Sequence, residues 1–364
     1  MNYVTYNNYD DEYNNGIYQD GTDEGNVVHD NYDVTIDNIY KTAFKKVFAC
    51  DDDDADNKYN PIYDKNECQF KFLTSGGYPT FEYGTVDGNY IYVNAMAKIA
   101  GTRGDCVALI DHTDNPDRPL NASNYESIHY ILNNEGSNFR ISEQYDSYTA
   151  MITPWVNVTC NGVYADKTNM IVPGSFAYLS ALAVSIKTNA NWLAVAGVAR
   201  GLVPNIIELH TTQVLTNAIA ESYQSEPAGG TGISINPITR IRPYGYCIWG
   251  NRTLRYNKIS RVGFATGFLN LRNMVSDVKK TVYKAAQRLM FEQNNDILWI
   301  NFKALITPLL DSMVSGYGLS GYKVIKNPTN DKTRLSAIIK LYPVYAVESF
   351  EVTVILSDEE VSVE

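Results

Sequence analysis

Cys106-Val-Ala-Leu-Ile-Asp-His112 is an apolar run closed by two polar residues, and it reads as a strand from Cys106 to Ile110 that ends at Asp111 and His112. Working outward from it, the flanks alternate in character. Upstream, Tyr92 to Ala100 suits a helix ending at Gly101, and Cys68 to Leu73 reads as a strand closing on Thr74, Ser75, Gly76 and Gly77. Downstream, Asn124 to Leu132 reads as a helix, and Tyr148 to Ile152 as a strand stopped by Pro154. A further helix starts near Pro173 and runs through Phe176, Leu179, Leu182, Ala183 and Ile186. Strand and helix in turn predict an α/β layer with a substantially parallel sheet.

The last third has a different rhythm. Val275, Val278, Val282, Ala285 and Leu289 recur at steps of three and four, which predicts a helix over 273–291 with Lys279, Lys280 and Lys284 off the apolar stripe. A second helix follows the capping residues Asn294 and Asn295, with Leu298, Phe302, Leu305, Leu309 and Met313 inward, Pro308 as a kink and Gly316 as terminator. Leu335, Ala337, Ile339 and Leu341 alternate before Pro343; Phe350, Val352, Val354 and Leu356 alternate after it. Acidic residues at Ser357 to Glu360 and a short alternation at Val361 and Val363 close the chain. The expected organisation is a polar, acidic extension (1–65), an α/β region (66–250), a helix-and-sheet region (251–343) and a terminal strand or arm (344–364).

The 364 residues carry 30 Lys+Arg against 41 Asp+Glu, a formal charge of −11, with 45% hydrophobic residues. That length suggests about two or three domains. The acidic balance argues against a general nucleic-acid binder. No stretch is expected to approach the roughly 20 apolar residues of a membrane helix, so the chain reads as neither secreted nor membrane-spanning. Cys50, Cys68, Cys106, Cys160 and Cys247 are scattered and lack CxxC spacing, which suits reduced thiols. The sequons at Asn121, Asn157 and Asn251 then carry no weight.

Motifs for catalysis are sparse. His29, His112, His129 and His210 show no HExxH or paired spacing, and Asp51 to Asp54 lacks the alternating ligands and turn glycine of a calcium loop. Gly229, Gly230 and Gly232 are followed by an extended segment rather than by a GK[ST] helix. Asp111-His112 stands at a strand end, but there is no GxSxG elbow, and Ser175 in Pro173-Gly174-Ser175 reads as a helix-capping or helix-lining residue more readily than as a nucleophile. Neither a cofactor nor a metal is expected.

Basic residues gather in one window. Arg240, Arg242, Arg252, Arg255, Lys258 and Arg261 interleave with Tyr244, Tyr246, Trp249 and Tyr256. Such mixing suits nucleic acid or an acidic protein surface. With acidic runs at Asp51 to Asp54 and Asp358 to Glu360 in the same chain, self-association through complementary patches is the more economical reading, against an ordinary solvated face.

As an ordered set, several motifs resemble the landmarks of contractile phage tail sheath proteins. They are Leu73-Thr-Ser-Gly-Gly-Tyr-Pro79, Asp105-Cys-Val-Ala-Leu-Ile-Asp111, Pro154-Trp155, Val172-Pro-Gly-Ser175 and Trp192-Leu-Ala-Val-Ala-Gly-Val-Ala-Arg-Gly201. Ile235-Asn-Pro237, Trp249-Gly-Asn-Arg-Thr-Leu254, Leu271-Arg272-Asn273, Phe291-Glu-Gln-Asn-Asn295 with Trp299, and Gly316 to Gly321 continue the series. The resemblance implies a subtilisin-like α/β middle domain without its catalytic triad, and a C-terminal two-helix and β-sheet sheath domain. It implies a structural protein rather than an enzyme: a homo-oligomer of stacked hexameric rings forming a helical polymer around a tail tube protein, with baseplate and tail-end proteins as further partners. Neither membrane insertion nor direct nucleic-acid binding is implied. The place implied is the tail of a virion assembled in the host cytoplasm, with the sheath of a bacteriocin or prophage particle as the alternative, and a hydrolase on the same fold as the rival from another class.

In that family, chain ends cross to neighbouring subunits and complete their sheets. The implied inter-subunit strand here is Phe350, Val352, Val354 and Leu356, with Val361 and Val363 beyond it. Arg240, Arg242, Arg252, Arg255, Lys258 and Arg261, with Lys279, Lys280 and Lys284, are the expected charged contacts. The N-terminus departs from the family pattern, since Asn2 to Asp37 offers little apolar alternation for a linking arm.

Overall fold

In the computed structural model, residues 47, 60–76, 91–111, 144–159, 169–210, 234–255 and 264–347 are described. They belong to two compact units, Met1–Cys68 and Gln69–Glu364. Within the first, a 3-10 turn at Pro61–Tyr63 is capped by the Asn60 side chain, which accepts from the Ile62 N–H at 3.0 Å. The run Asp51 to Asp54 and the predicted helix at 124–132 lie outside the described residues.

The second unit is organised by a five-stranded sheet. Its strands are β1 (Phe72–Thr74), β2 (Val107–Asp111) and β3 (Thr149–Thr153), all parallel, followed in space by two later strands. Every residue of β2 and β3 is buried. That is why both read as unbroken apolar runs: a parallel sheet covered on both faces needs no polar alternation. On one face, Val107, Leu109, Ala150 and Ile152 form a core with the helix Gly174–Ser185. On the other, α1 (Ile91–Arg103) packs on β2 with Val93, Met96, Ala97 and Ile99 buried. Helix α1 runs past the predicted stop at Gly101. The glycine is needed for approach, because a Cβ there would fall 2.2 Å from Cδ1 of Tyr145; Gly104, at φ +67°, ends the helix.

A three-stranded antiparallel sheet stands beside this layer. Its β4 (Val156–Thr159) is central, flanked by β5 (Asn169–Val172) and β6 (Ile206–Leu209). From β5 the chain enters α2 (Gly174–Ser185). The buried face of α2 differs from the predicted stripe: Phe176 and Ile186 are exposed, while Ser175, Ala177, Tyr178, Ala181 and Leu182 face the sheet. Ser175, Ala177 and Ala181 let the helix lie close to the strands, and Tyr178 and Leu182 fill the core between them.

β7 (Asn236–Ile241) adds parallel to β3, and β8 (Gly245–Ile248) returns antiparallel to it as the edge strand. After a short 3-10 turn come α3 (Leu269–Arg288) and α4 (Asp296–Ser315). Asn295 caps α4 as predicted, accepting from the Leu298 N–H at 2.9 Å, and Gly316 ends it. Pro308 sits within α4 on its exposed side, where the Ala304 carbonyl it leaves without a helical donor can meet water. By length and composition α4 matches a membrane span, contrary to the expectation that no stretch would. Its packing is amphipathic: Leu298, Phe302, Ile306, Leu310 and Met313 are buried.

These helices carry a two-stranded antiparallel sheet of β9 (Leu319–Asn327) and β10 (Ser336–Pro343). Leu335, Ala337, Ile339 and Leu341 face the helices, as their alternation predicts. No sequence pattern announces β9. The partner strand expected at Phe350 to Leu356 lies outside the described residues, as do Val361 and Val363.

Candidate functional site

The place where α/β folds keep reactive groups is the carboxyl end of the parallel strands. Here Asp111 ends β2 and Ser175 begins α2, and they meet. The Asp111 carboxylate accepts the Ser175 N–H on Oδ1 and the Ser175 hydroxyl on Oδ2, both at 2.7 Å. Thr74 at the end of β1 adds its hydroxyl to Ser175 Oγ at 2.9 Å. Asp111 and Ser175 are buried, and burial pushes the Asp111 carboxyl up to about 7 against the two hydrogen bonds from Ser175. Gly174 brings α2 this close: a Cβ on it would lie 3.0 Å from the Ile152 carbonyl oxygen. A nucleophilic serine needs an exposed Oγ and a base to take its proton. Ser175 has 0% exposure, so its Oγ is closed to substrate even with Asp111 in bonding distance, and with Thr74 the cluster ties β1, β2 and α2 together. His112 lies outside the described residues.

The described cysteines, Cys68, Cys106 and Cys247, are free thiols. Burial pushes Cys106 up to about 12 and Cys247 up to about 11, which leaves both unreactive. Among the described residues no group of His, Cys, Asp and Glu has the arrangement of a metal site.

The structure disperses the predicted basic contacts. Arg240 and Arg242 stand at the exposed end of the β7–β8 hairpin with Tyr244, and Arg240 lies over the Tyr246 ring at 5.7 Å. Arg252 and Arg255 are half-buried: Asn236 accepts from the Arg252 backbone N–H at 2.7 Å, and the Arg255 guanidinium lies 3.6 Å from Asp146. Lys279 donates to the Tyr148 hydroxyl at 2.9 Å, and Lys280 to the Phe70 carbonyl at 2.6 Å. Beside them Lys71 pairs with Asp277 at 2.8 Å, and Arg272 donates to Ser147 while stacking on Tyr148 at 4.0 Å. These groups bind α3 to the parallel sheet. Lys284 is exposed; Lys258 and Arg261 lie outside the described residues.

The landmark motifs converge on one seam. Asn236 donates to the carbonyls of Met151 and Arg252, at 3.0 and 2.8 Å. Asn251 and Asn270 bond to each other, and Asn270 reaches the Trp192 carbonyl at 3.1 Å. Trp192 in turn donates its indole N–H to Gly316 at 3.0 Å, with its ring over Gly316 and Gly318. Motifs far apart in the chain thus join the parallel sheet to the β9–β10 sheet. Asn236 before Pro237 and Asn251 after Gly250 were the signal for this seam, though neither marks its partner.

No family model and no curated protein matches the sequence. Solved structures do. A chain of the extracellular contractile injection system PVC sheath complex in its contracted state is 20% identical, with a TM-score of 0.52, covering 70% of this chain and 65% of that one. Chains of the anti-feeding prophage (AFP) baseplate are 16% identical: in the 6-fold symmetrised structure the TM-score is 0.53, covering 84% of this chain and 74% of that one. In the contracted state the values are 0.55, 74% and 65%. The chain thus spans about two thirds of the length of the first of these. Its fold, mixed helices and sheets, is that of contractile injection sheath structures.

Proposed function

We propose that the chain is a structural subunit of a contractile sheath, which polymerises as stacked hexameric rings around a tube and shortens to drive that tube through an envelope. The observation that carries this reading is the fold shared with the PVC sheath complex, together with a buried Asp111–Ser175 tie where a hydrolase would hold an open nucleophile. In this reading the parallel-sheet region is a subtilisin-like layer that has become a scaffold, and the chain is not an enzyme.

Assembly would proceed by strand lending. The β9–β10 sheet has only two strands among the described residues, and the alternation of Phe350, Val352, Val354 and Leu356 in the sequence suits an added strand with one apolar face that a second copy would receive. Burying four such side chains contributes roughly 1.5–3 kcal/mol each before ordering entropy is subtracted. Energy would be stored at assembly and released as subunits gain contacts in the shortened state, without nucleotide. The tube protein and baseplate proteins are the other partners, and the particle is a phage tail or a related prophage or bacteriocin device assembled in the producing cell.

Negative-stain microscopy of the concentrated full chain tests the reading. Rings or tubes are the expected result; a stable monomer at every concentration, or ester or peptide hydrolysis abolished by Ser175→Ala, overturns it.

A further inference from the structure

Lys323 and Lys340 are direct cross-strand partners in the β9–β10 ladder. Residues directly opposite each other project from the same face. The other face carries Tyr322, Val324, Ile339 and Leu341 into the helical core, so the two ammonium groups rise from the outer side, where both lysines are exposed. Neither has a hydrogen bond or ion pair with a described residue. Like charges directly opposite weaken a sheet, and folding of the subunit itself does not call for this pair. The adjacent outward rung is Ile325 opposite Ile338, both more than 40% exposed, and the rung beyond the lysines holds Tyr342. The outer face is therefore a band of apolar side chains crossed by a doubled positive charge, in a chain of net charge −11.

We propose that this lysine rung receives Glu351 of a second copy and sets the register of the lent strand. The inference rests on the strand-lending reading above and adds the residues that fix the alignment. If Phe350, Val352, Val354 and Leu356 extend the apolar layer over the helices, alternation turns Glu351, Thr353 and Ile355 to the outer face. Glu351 is the one charged residue between 350 and 356. Because the lysines face each other across the ladder, an added strand on either edge finds an ammonium group beside the position of Glu351. A slip of one residue would drive the carboxylate into the apolar layer, and a slip of two would place it beside Ile325 or Ile338 in one direction and beside Gly321 or Tyr342 in the other. The lysines thus act by penalising wrong alignments.

The test uses the full chain. Lys323→Glu with Lys340→Glu should raise the concentration needed for assembly at least tenfold by sedimentation velocity, with an unchanged circular dichroism spectrum. Glu351→Lys alone should impair assembly similarly, which keeps the test valid if the double variant misfolds. Combining all three changes should restore it. Separately, chains carrying Thr353→Cys are mixed with chains carrying Ile338→Cys and treated with a short bis-maleimide, which spans the strand spacing of about 4.8 Å from either edge. Cross-linked heterodimers together with unchanged assembly of the reversed variants would overturn the lysine assignment and leave strand lending standing. A chain carrying both Thr353→Cys and Ile338→Cys is the control, and cross-linking within it with none between the mixed single-cysteine chains would overturn both.

Discussion

Asp111 and Ser175, 64 residues apart, are joined by two 2.7 Å hydrogen bonds into the same carboxylate, one from the backbone and one from the hydroxyl. The bond fastens the end of β2 to the start of α2 and satisfies an N–H at the first turn of that helix. It also holds the serine proton in a place closed to substrate.

Stability should carry the mark of this carboxyl in its pH dependence. Asp111 titrates near 7 in the folded chain, against about 3.9 unfolded, so the native state binds more protons between those values. The contribution of this group to stability is full below about pH 4, falls as pH rises, and levels off above about 7. Asp111→Asn should remove that slope. Urea unfolding of wild type and variant should show their stability difference shifting by about 2–4 kcal/mol in favour of the variant between pH 4.5 and 8. A constant difference would show that Asp111 titrates normally.

Gly318→Ala should destabilise the fold by about 1–3 kcal/mol, because its Cβ would fall 2.4 Å from Cδ1 of Trp192. Gly321→Ala is the control: nothing lies within 4 Å of the Cβ there. Thermal melts of the two variants should separate clearly, and equal melting points would contradict the packing of the indole.

Arg272 is buried, donates to the Ser147 carbonyl and hydroxyl at 2.9 and 2.7 Å, and lies over Tyr148. Lysine keeps the charge but loses the fork and the planar stack. Arg272→Lys should cost about 2–4 kcal/mol in chemical denaturation, through the lost fork to Ser147 and the lost stack on Tyr148, whose hydroxyl keeps Lys279. A loss below about 0.5 kcal/mol would mean that the site repacks freely.

Among the basic residues, position decides the phenotype. Arg240→Gln with Arg242→Gln, at the exposed hairpin end, should leave stability within about 0.5 kcal/mol and alter assembly or contraction in micrographs. Arg255→Gln should lower stability instead, since its guanidinium lies 3.6 Å from Asp146, whereas Arg252 bonds Asn236 through its backbone N–H, which a change to Gln keeps. The reverse pattern would move the assembly surface to the seam.

The central strands and the last two helices were readable because burial on both faces, or on one stripe, leaves an apolar pattern within a single segment. β2, β3, α3 and α4 are of this kind. β9 escaped because Leu319-Ser-Gly-Tyr-Lys-Val-Ile-Lys-Asn327 turns only Tyr322 and Val324 to the core at its centre, with lysines and a glycine between. The inward face of α2 escaped because apolar residues lie on both sides of the helix, with Phe176, Val184 and Ile186 outward and Ala177, Tyr178, Ala181 and Leu182 inward, so periodicity does not single out one stripe. The meeting of Asp111 with Ser175, and of Lys323 with Lys340, depends on crossover and register. Neither is written in any one segment.

Trp192 holds Gly316, and two residues on the Gly318 carbonyl accepts the Val344 N–H at 3.1 Å. A tug on the polypeptide beyond β10 therefore arrives at a short, stiff loop already clamped to the body by an indole ring. The end of β10 is thereby pinned to the same loop that the indole ring holds to the body.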